Sequence, residues 1–108
     1  MNNDTITIEL DKPRVLKFRR KELKMLEKVF GKKITEIDFA GMNIDDITKM
    51  IHIGLTHEDS ALTIEKTEEL LDDSELTFGE MMKDTMDAFS IAMGGKRIEL
   101  PPEPVEKN

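Results

Sequence analysis

The chain has 108 residues, of which 38% are hydrophobic and 36% charged, with a net charge of −7 and no cysteine. This length and balance predict one compact domain under a solvated surface and exclude a wholly disordered chain. Without cysteine there are no disulfides, thiolate zinc sites or cysteine nucleophiles, and no apolar run approaches the roughly 20 residues of a membrane helix.

The first predicted element is a β-hairpin within residues 4–18. The segment from Thr5 to Leu10 alternates polar and apolar side chains, and a second strand-like run, Val15 to Phe18, follows the turn around Pro13. Since a lone hairpin is marginal in water, its apolar face needs a helical layer.

Four helices are predicted next, at about residues 20–30, 43–56, 63–72 and 77–93, from apolar residues at helical spacing. Residues that favour helix ends lie at the expected boundaries. Glycine ends the first and the last helix, at Gly31 and at Gly94-Gly95. The next three helix starts have capping residues, which are Asn43 with Asp46, Thr63, and Thr77 with Glu80. The second helix is expected to form one apolar stripe and to pack closely at Gly54. The stripe comprises Ile44, Ile47, Ile51 and Leu55.

These elements predict a mainly α protein of the α+β class, with an N-terminal two-stranded β-hairpin packed on a bundle of about four short helices. Residues 1–95 are expected to form the single globular domain. Residues 96–108 are expected to be a flexible C-terminal tail, because the prolines in Pro101-Pro102-Glu103-Pro104 cannot continue a helix or join a central strand.

Charge is distributed unevenly along the chain. Residues 12–33 carry ten basic and two acidic side chains, a net +8, whereas residues 34–93 carry three basic and fifteen acidic side chains, a net −12. A basic segment can bind nucleic acid, but the larger acidic body would repel phosphate. We therefore expect no nucleic-acid partner.

No group of residues has the spacing of an active site. His52 and His57 would lie on different faces of a helix, and the neighbours in His57-Glu58-Asp59-Ser60 cannot point at one another as a catalytic triad requires. Asp45-Asp46 and Asp72-Asp73 lack the alternating ligands and glycine of a calcium loop. The sequence predicts no enzyme, no cofactor and no metal site.

Methionine is the most informative residue type, because four of the eight methionines lie in the fourth helix, at positions 81, 82, 86 and 93. A buried row of this flexible side chain fills an irregular core, whereas an exposed row forms an adaptable surface for other helices. Most of these residues fit the core interpretation. Adjacent Met81 and Met82 cannot both face inward equally, however, which leaves apolar surface for a partner or for self-association.

Two segments carry a family resemblance. One is the charged, leucine-spaced helix Arg20-Lys21-Glu22-Leu23-Lys24-Met25-Leu26-Glu27 after the hairpin. The other has two parts. In the first, Ile51 to Asp59, a helix ends with Gly54-Leu55 and a charged loop follows. In the second, Leu62 to Asp72, a leucine and a threonine lead into an acidic helix. Over about residues 5–95, the chain resembles the tail assembly chaperones of long-tailed (siphovirus-type) bacteriophages and prophages.

The resemblance implies a non-enzymatic chaperone that binds the long helical tape measure protein and keeps it soluble until tube subunits polymerise around it. It also implies a protein of the bacterial host cytoplasm that is absent from the mature virion. We expect apolar helical segments to be bound by a methionine-rich face, oriented by a basic face. The residues concerned are Met81, Met82, Met86 and Phe89, with Lys21, Lys24 and Lys28.

Members of this family are often made in two forms by ribosomal frameshifting, and a slippery heptamer can encode Gly95-Lys96. The longer form would carry a further domain toward the tail tube protein. Two other hypotheses stay open: a structural virion component, such as a connector or tail-completion protein, and an acidic regulator that mimics nucleic acid. Against the regulator, most acidic residues lie at caps and first turns, where they stabilise helices.

Overall fold

The computed structural model describes residues 5–95, and it confirms the predicted fold class. Strands β1 (Ile6–Glu9) and β2 (Pro13–Leu16) form an antiparallel hairpin in which Ile6 is opposite Leu16. Helices and two short 3-10 turns follow. The helices are α1 (Arg20–Phe30), α2 (Ile44–Leu55), α3 (Ile64–Asp73) and α4 (Phe78–Ala92), and the 3-10 turns are Ile34–Glu36 and Phe39–Gly41.

The ends of the helices follow the predicted caps. The side chain of Asn43 accepts a hydrogen bond from the Asp46 amide at 2.8 Å, and Thr63 accepts one from the Lys66 amide at 3.0 Å. At the start of α4, Glu80 and Thr77 bond to each other's backbone amides, which is a complete capping box. The chain then leaves α1 and α4 through the left-handed region, with φ 65° at Gly31 and 91° at Gly94.

Helix α2 lies at the centre of the core, because α1, α3, α4 and β2 all pack against it. The prediction of one apolar stripe on α2 is wrong in two respects. Met50 and Ile53 lie off the stripe, yet they are as buried as Ile47, since neighbours cover α2 from several directions. Ile44 has the spacing of the stripe but is 66% exposed.

Gly54 allows the hairpin to approach α2, as predicted. A Cβ atom at this position would lie 2.9 Å from Leu16 Cδ2 and 3.1 Å from Phe18 Cζ, both of which are closer than ordinary packing. The Lys17 amide donates a 3.0 Å hydrogen bond to the Gly54 carbonyl oxygen across the same contact. The missing side chain therefore joins the end of the hairpin to the central helix.

The segment after α2 bonds to the outer edge of β2. The carbonyl oxygen of Val15 accepts a hydrogen bond from His57 Nε2 at 2.8 Å, and its amide donates one to Glu58 Oε1 at 3.2 Å. Both backbone groups of Val15 thus point away from β1. With the bond from Lys17 to Gly54, the edge of β2 is covered by the chain's own residues.

No helix in residues 5–95 is long and apolar enough to cross a membrane. The predicted C-terminal tail, residues 96–108, lies outside the described residues, as do residues 1–4.

Candidate functional site

The histidines have separate structural roles. His52 Nε2 donates to the Leu62 carbonyl oxygen at 2.8 Å, which links α2 to the start of the α3 region, whereas His57 bonds to β2. A carbonyl oxygen only accepts, so both imidazoles carry a proton on Nε2. Across residues 5–95, no three histidine or acidic side chains are grouped as metal ligands would be.

Arg14 holds the polar loop after α2 against the hairpin. Its buried guanidinium donates to both carboxylate oxygens of Asp11, at 2.8 and 3.0 Å, and lies 3.8 Å from Asp59. The hydrogen bonds from Arg14 lower the pKa of Asp11 to about 2, because they stabilise the ionised carboxylate. These contacts give the charged residues of the loop a structural role, which is to hold the loop against the hairpin.

Two buried carboxylates were not anticipated from the sequence. Glu22 is 1% exposed and accepts hydrogen bonds from the Arg19 guanidinium at 2.9 and 2.7 Å, which lowers the pKa of the Glu22 carboxyl. Asp87 is 2% exposed and accepts one from Lys83 Nζ at 2.6 Å. In each pair the two residues are one helical turn apart, at i,i+3 or i,i+4 spacing. This spacing was the signal in the sequence from which the ion pairs could have been predicted.

The predicted partner-binding residues occupy two elements that do not pack extensively on each other. Lys21, Lys24 and Lys28 are exposed on α1, which packs on α2 and the first 3-10 turn, whereas α4 packs on the hairpin and α2. Of the predicted residues on α4, Met81, Met82 and Phe89 are half-buried and pack against the core, and Met86 is also half-buried. Their role in binding stays a prediction.

Phe89 has a clear structural role. Its ring contacts Phe39 edge-on, with centroids 5.1 Å apart, and Phe18 at 6.4 Å. These contacts join α4 to the second 3-10 turn and to the end of the hairpin. Changing Phe89 would therefore disturb the fold as well as any surface around it.

The apolar surface of greatest interest lies where α2, α3 and α4 meet. Ile44 and Phe78 are 66% and 37% exposed, and both line two adjoining cavities of about 460 and 400 Å³. We call this surface the acidic groove. Its apolar lining is Met42, Ile44, Leu71, Phe78 and Met81, and its acidic lining is Asp45, Glu68 and Asp72.

The acidic groove was missed: Ile44 was placed on the apolar stripe of the second helix, and Phe78 was not among the predicted binding residues. Each is the first residue of its helix, directly after the caps Asn43 and Thr77. An apolar side chain at that position, beside acids of the first turn, was the signal available in the sequence. Of the predicted binding residues, Met81 alone is in the lining given for this groove.

Comparison of the chain with protein-family models, with curated proteins and with solved structures finds no match. The resemblance to tail assembly chaperones thus rests on the sequence segments quoted above, and the candidate site rests on its own geometry.

Proposed function

We propose that the protein is a phage tail assembly chaperone that binds the tape measure protein and keeps it soluble during tail assembly. The acidic groove is the observation that carries this proposal. It offers the exposed side chains of Ile44 and Phe78 as apolar contacts, with the half-buried Met81 beside them. A chaperone for long helical segments needs such a surface.

The size of the groove suits a reversible complex. Burying an isoleucine, phenylalanine or methionine side chain contributes about 1.5–3 kcal/mol, and association itself costs several kcal/mol in lost freedom. Three such contacts contribute at most about 9 kcal/mol, and an association cost of at least about 4 kcal/mol leaves an affinity of about 0.2 mM or weaker for each bound helix. Weak binding allows tube subunits to displace the chaperone as they polymerise.

The other predicted residues keep a place in this proposal. Met82 and Met86 are half-buried on α4 and would add flexible apolar contacts, and the exposed lysines of α1 supply a basic face for orienting an acidic part of the partner. The protein would act in the host cytoplasm and leave before the virion matures. A longer frameshifted form would add contact with the tail tube protein.

The test is co-expression with the tape measure protein encoded downstream, scored by whether that partner moves from the pellet into the soluble fraction and co-purifies. We expect solubilisation by the wild type. A Met82→Lys, Met86→Lys variant that is still folded by circular dichroism should lose it. An insoluble tape measure protein beside a well-folded, unbound wild type would refute the proposal.

A complementary measurement separates the chaperone from a virion component. Mass spectrometry of purified particles should find no copies of this chain if it leaves during assembly. A stoichiometric amount in mature particles would instead support a connector or tail-completion role.

A further inference from the structure

We propose that the acidic groove binds a cationic amphipathic helix, with apolar side chains entering the groove and lysine or arginine side chains pairing with its acidic lining. This deepens the proposed function and rests on it in naming the tape measure protein as the source of the helix.

The apolar lining is continuous across α2, α3 and α4. The two cavities share Ile44, Asp45 and Phe78, so they form one extended groove rather than separate pits. Leu71 of α3 and Met42 before α2 also take part in the lining. A helix laid in such a groove inserts side chains at i, i+3 or i+4, and i+7 spacing, which is how amphipathic helices are commonly bound.

The charge of the lining selects the sign of the partner. Asp45, Glu68 and Asp72 are exposed acids, and no basic residue is among the lining residues given for the two cavities. The lysines on α3 and α4 make ion pairs elsewhere, Lys66 with Glu69 at 3.6 Å and Lys83 with Asp87 at 2.6 Å. A partner with lysine or arginine beside its apolar stripe would complement this surface.

Asp72 lies where the helix itself does not favour it. It occupies the last turn of α3 together with Asp73, and that turn contains no basic residue. Acids at a helix C-terminus oppose the macrodipole and cost about 0.3–1 kcal/mol, whereas Asp45 lies in the first turn of α2, where an acid is stabilising. The acid on α3 is therefore not explained by helix stability, and a cationic ligand would neutralise it.

The direct test uses two synthetic peptides of about 18 residues, long enough for five helical turns. Both carry the same leucines at i, i+3, i+4 and i+7 spacing; one has lysines beside the apolar stripe and the other has glutamates at the same positions. Fluorescence anisotropy is measured with the full chain at low and high salt. We expect the lysine peptide to bind at least about 10-fold more tightly, with a preference that shrinks as salt is raised.

A matched pair of variants locates the site. The groove variant combines Asp45→Asn, Glu68→Gln and Asp72→Asn, and the control variant combines Glu9→Gln, Glu65→Gln and Glu75→Gln. All six acids are exposed, and each variant removes three negative charges, so net charge is matched. The groove variant should weaken binding of the lysine peptide about 10-fold, and the control should stay within about 2-fold of the wild type.

Several outcomes would overturn the inference. Equal binding of the two peptides would show that charge does not select the partner, and equal losses in the two variants would show that only net charge matters. Failure of both peptides to bind would exclude a helix site of this kind. Self-association that is abolished by Ile44→Ser would make a second copy the occupant, since α1 is basic and its Val29 is 49% exposed.

The inference and the proposed function fail in different ways. If the groove variant solubilises the tape measure protein as well as the wild type does, the groove is not the binding site, although the chaperone role stands. If the lysine peptide binds in the groove but the tape measure protein is never solubilised, the groove's specificity stands and its source must be another protein.

Discussion

Replacing Gly54 with alanine should reveal how strongly the fold depends on close contact between the hairpin and α2. The added methyl group would lie 2.9 Å from Leu16 Cδ2 and 3.1–3.2 Å from two carbons of the Phe18 ring. Leu16 and Phe18 are 2% and 4% exposed, so neither can turn freely into solvent. Overpacking of this kind costs about 1–3 kcal/mol.

The replacement also removes a helical glycine, which by itself favours folding by up to about 1 kcal/mol. Gly79→Ala is the matched control, because Gly79 is also helical and its added Cβ would meet only Thr77 Oγ1, at 3.9 Å. We therefore expect the free energy of unfolding of Gly54→Ala to lie about 1–3 kcal/mol below that of Gly79→Ala.

Urea denaturation followed by circular dichroism measures this difference. For a domain of this size the m-value is about 1–1.5 kcal/mol/M, so the two midpoints should differ by about 0.7–3 M at unchanged m. Equal stabilisation by both replacements would refute the reasoning, because it would mean that the hairpin can retreat from α2 without loss. A crystal structure of Gly54→Ala should show Leu16 displaced and the bond from Lys17 to the Gly54 carbonyl lengthened.

Three further predictions follow from buried or paired side chains. Leu26→Ala should lower the free energy of unfolding by about 2–5 kcal/mol in urea denaturation, because Leu26 is 0% exposed and α1 is anchored through it; a loss below about 1 kcal/mol would mean that α1 contributes little to the core. Arg14 lowers the pKa of Asp11 to about 2, so the Asp11 carboxylate stabilises the fold above its unfolded pKa near 4, and this stability is lost as the pH falls toward 2. The melting temperature of Asp11→Asn should therefore change less over this pH range than that of the wild type. Parallel curves of melting temperature against pH would contradict this. Arg19→Ala should be less stable than the wild type at pH 7, with a difference that shrinks in acid as the Glu22 carboxylate is protonated; a difference independent of pH would show that Arg19 acts through packing alone.

Local signals in the sequence were sufficient for the ends of the helices. Asn43, Thr63 and Thr77 cap helices because their short polar side chains reach amides within the same turn, and Gly31 adopts a positive φ that other residues avoid. Such features depend on a few neighbouring residues, so reading the chain locally predicts them. The hairpin was predictable for the same reason.

Burial depends on which elements pack together, and that arrangement could not be predicted from local patterns in the sequence. Ile44 and Ile47 are one turn apart on the same stripe, yet they are 66% and 1% exposed because neighbours cover only the second. The spacing of Lys83 and Asp87 could be recognised as that of an ion pair, but the burial of Asp87 could not be predicted from it. The acidic groove depends on three helices meeting, so it became visible only in the structure.

The hydrogen bonds from His57 and Glu58 to Val15 also limit how this small sheet can grow. Fibres that spread by strand addition need two open edges, one to accept a strand and one to present the next. A strand from another chain could pair with the β2 edge only after it had displaced the loop after α2 and the hydrogen bond from the Lys17 amide to the Gly54 carbonyl oxygen. Any pairing of hairpins through β1 would therefore stop at two chains, because the β2 edge of each hairpin is already occupied.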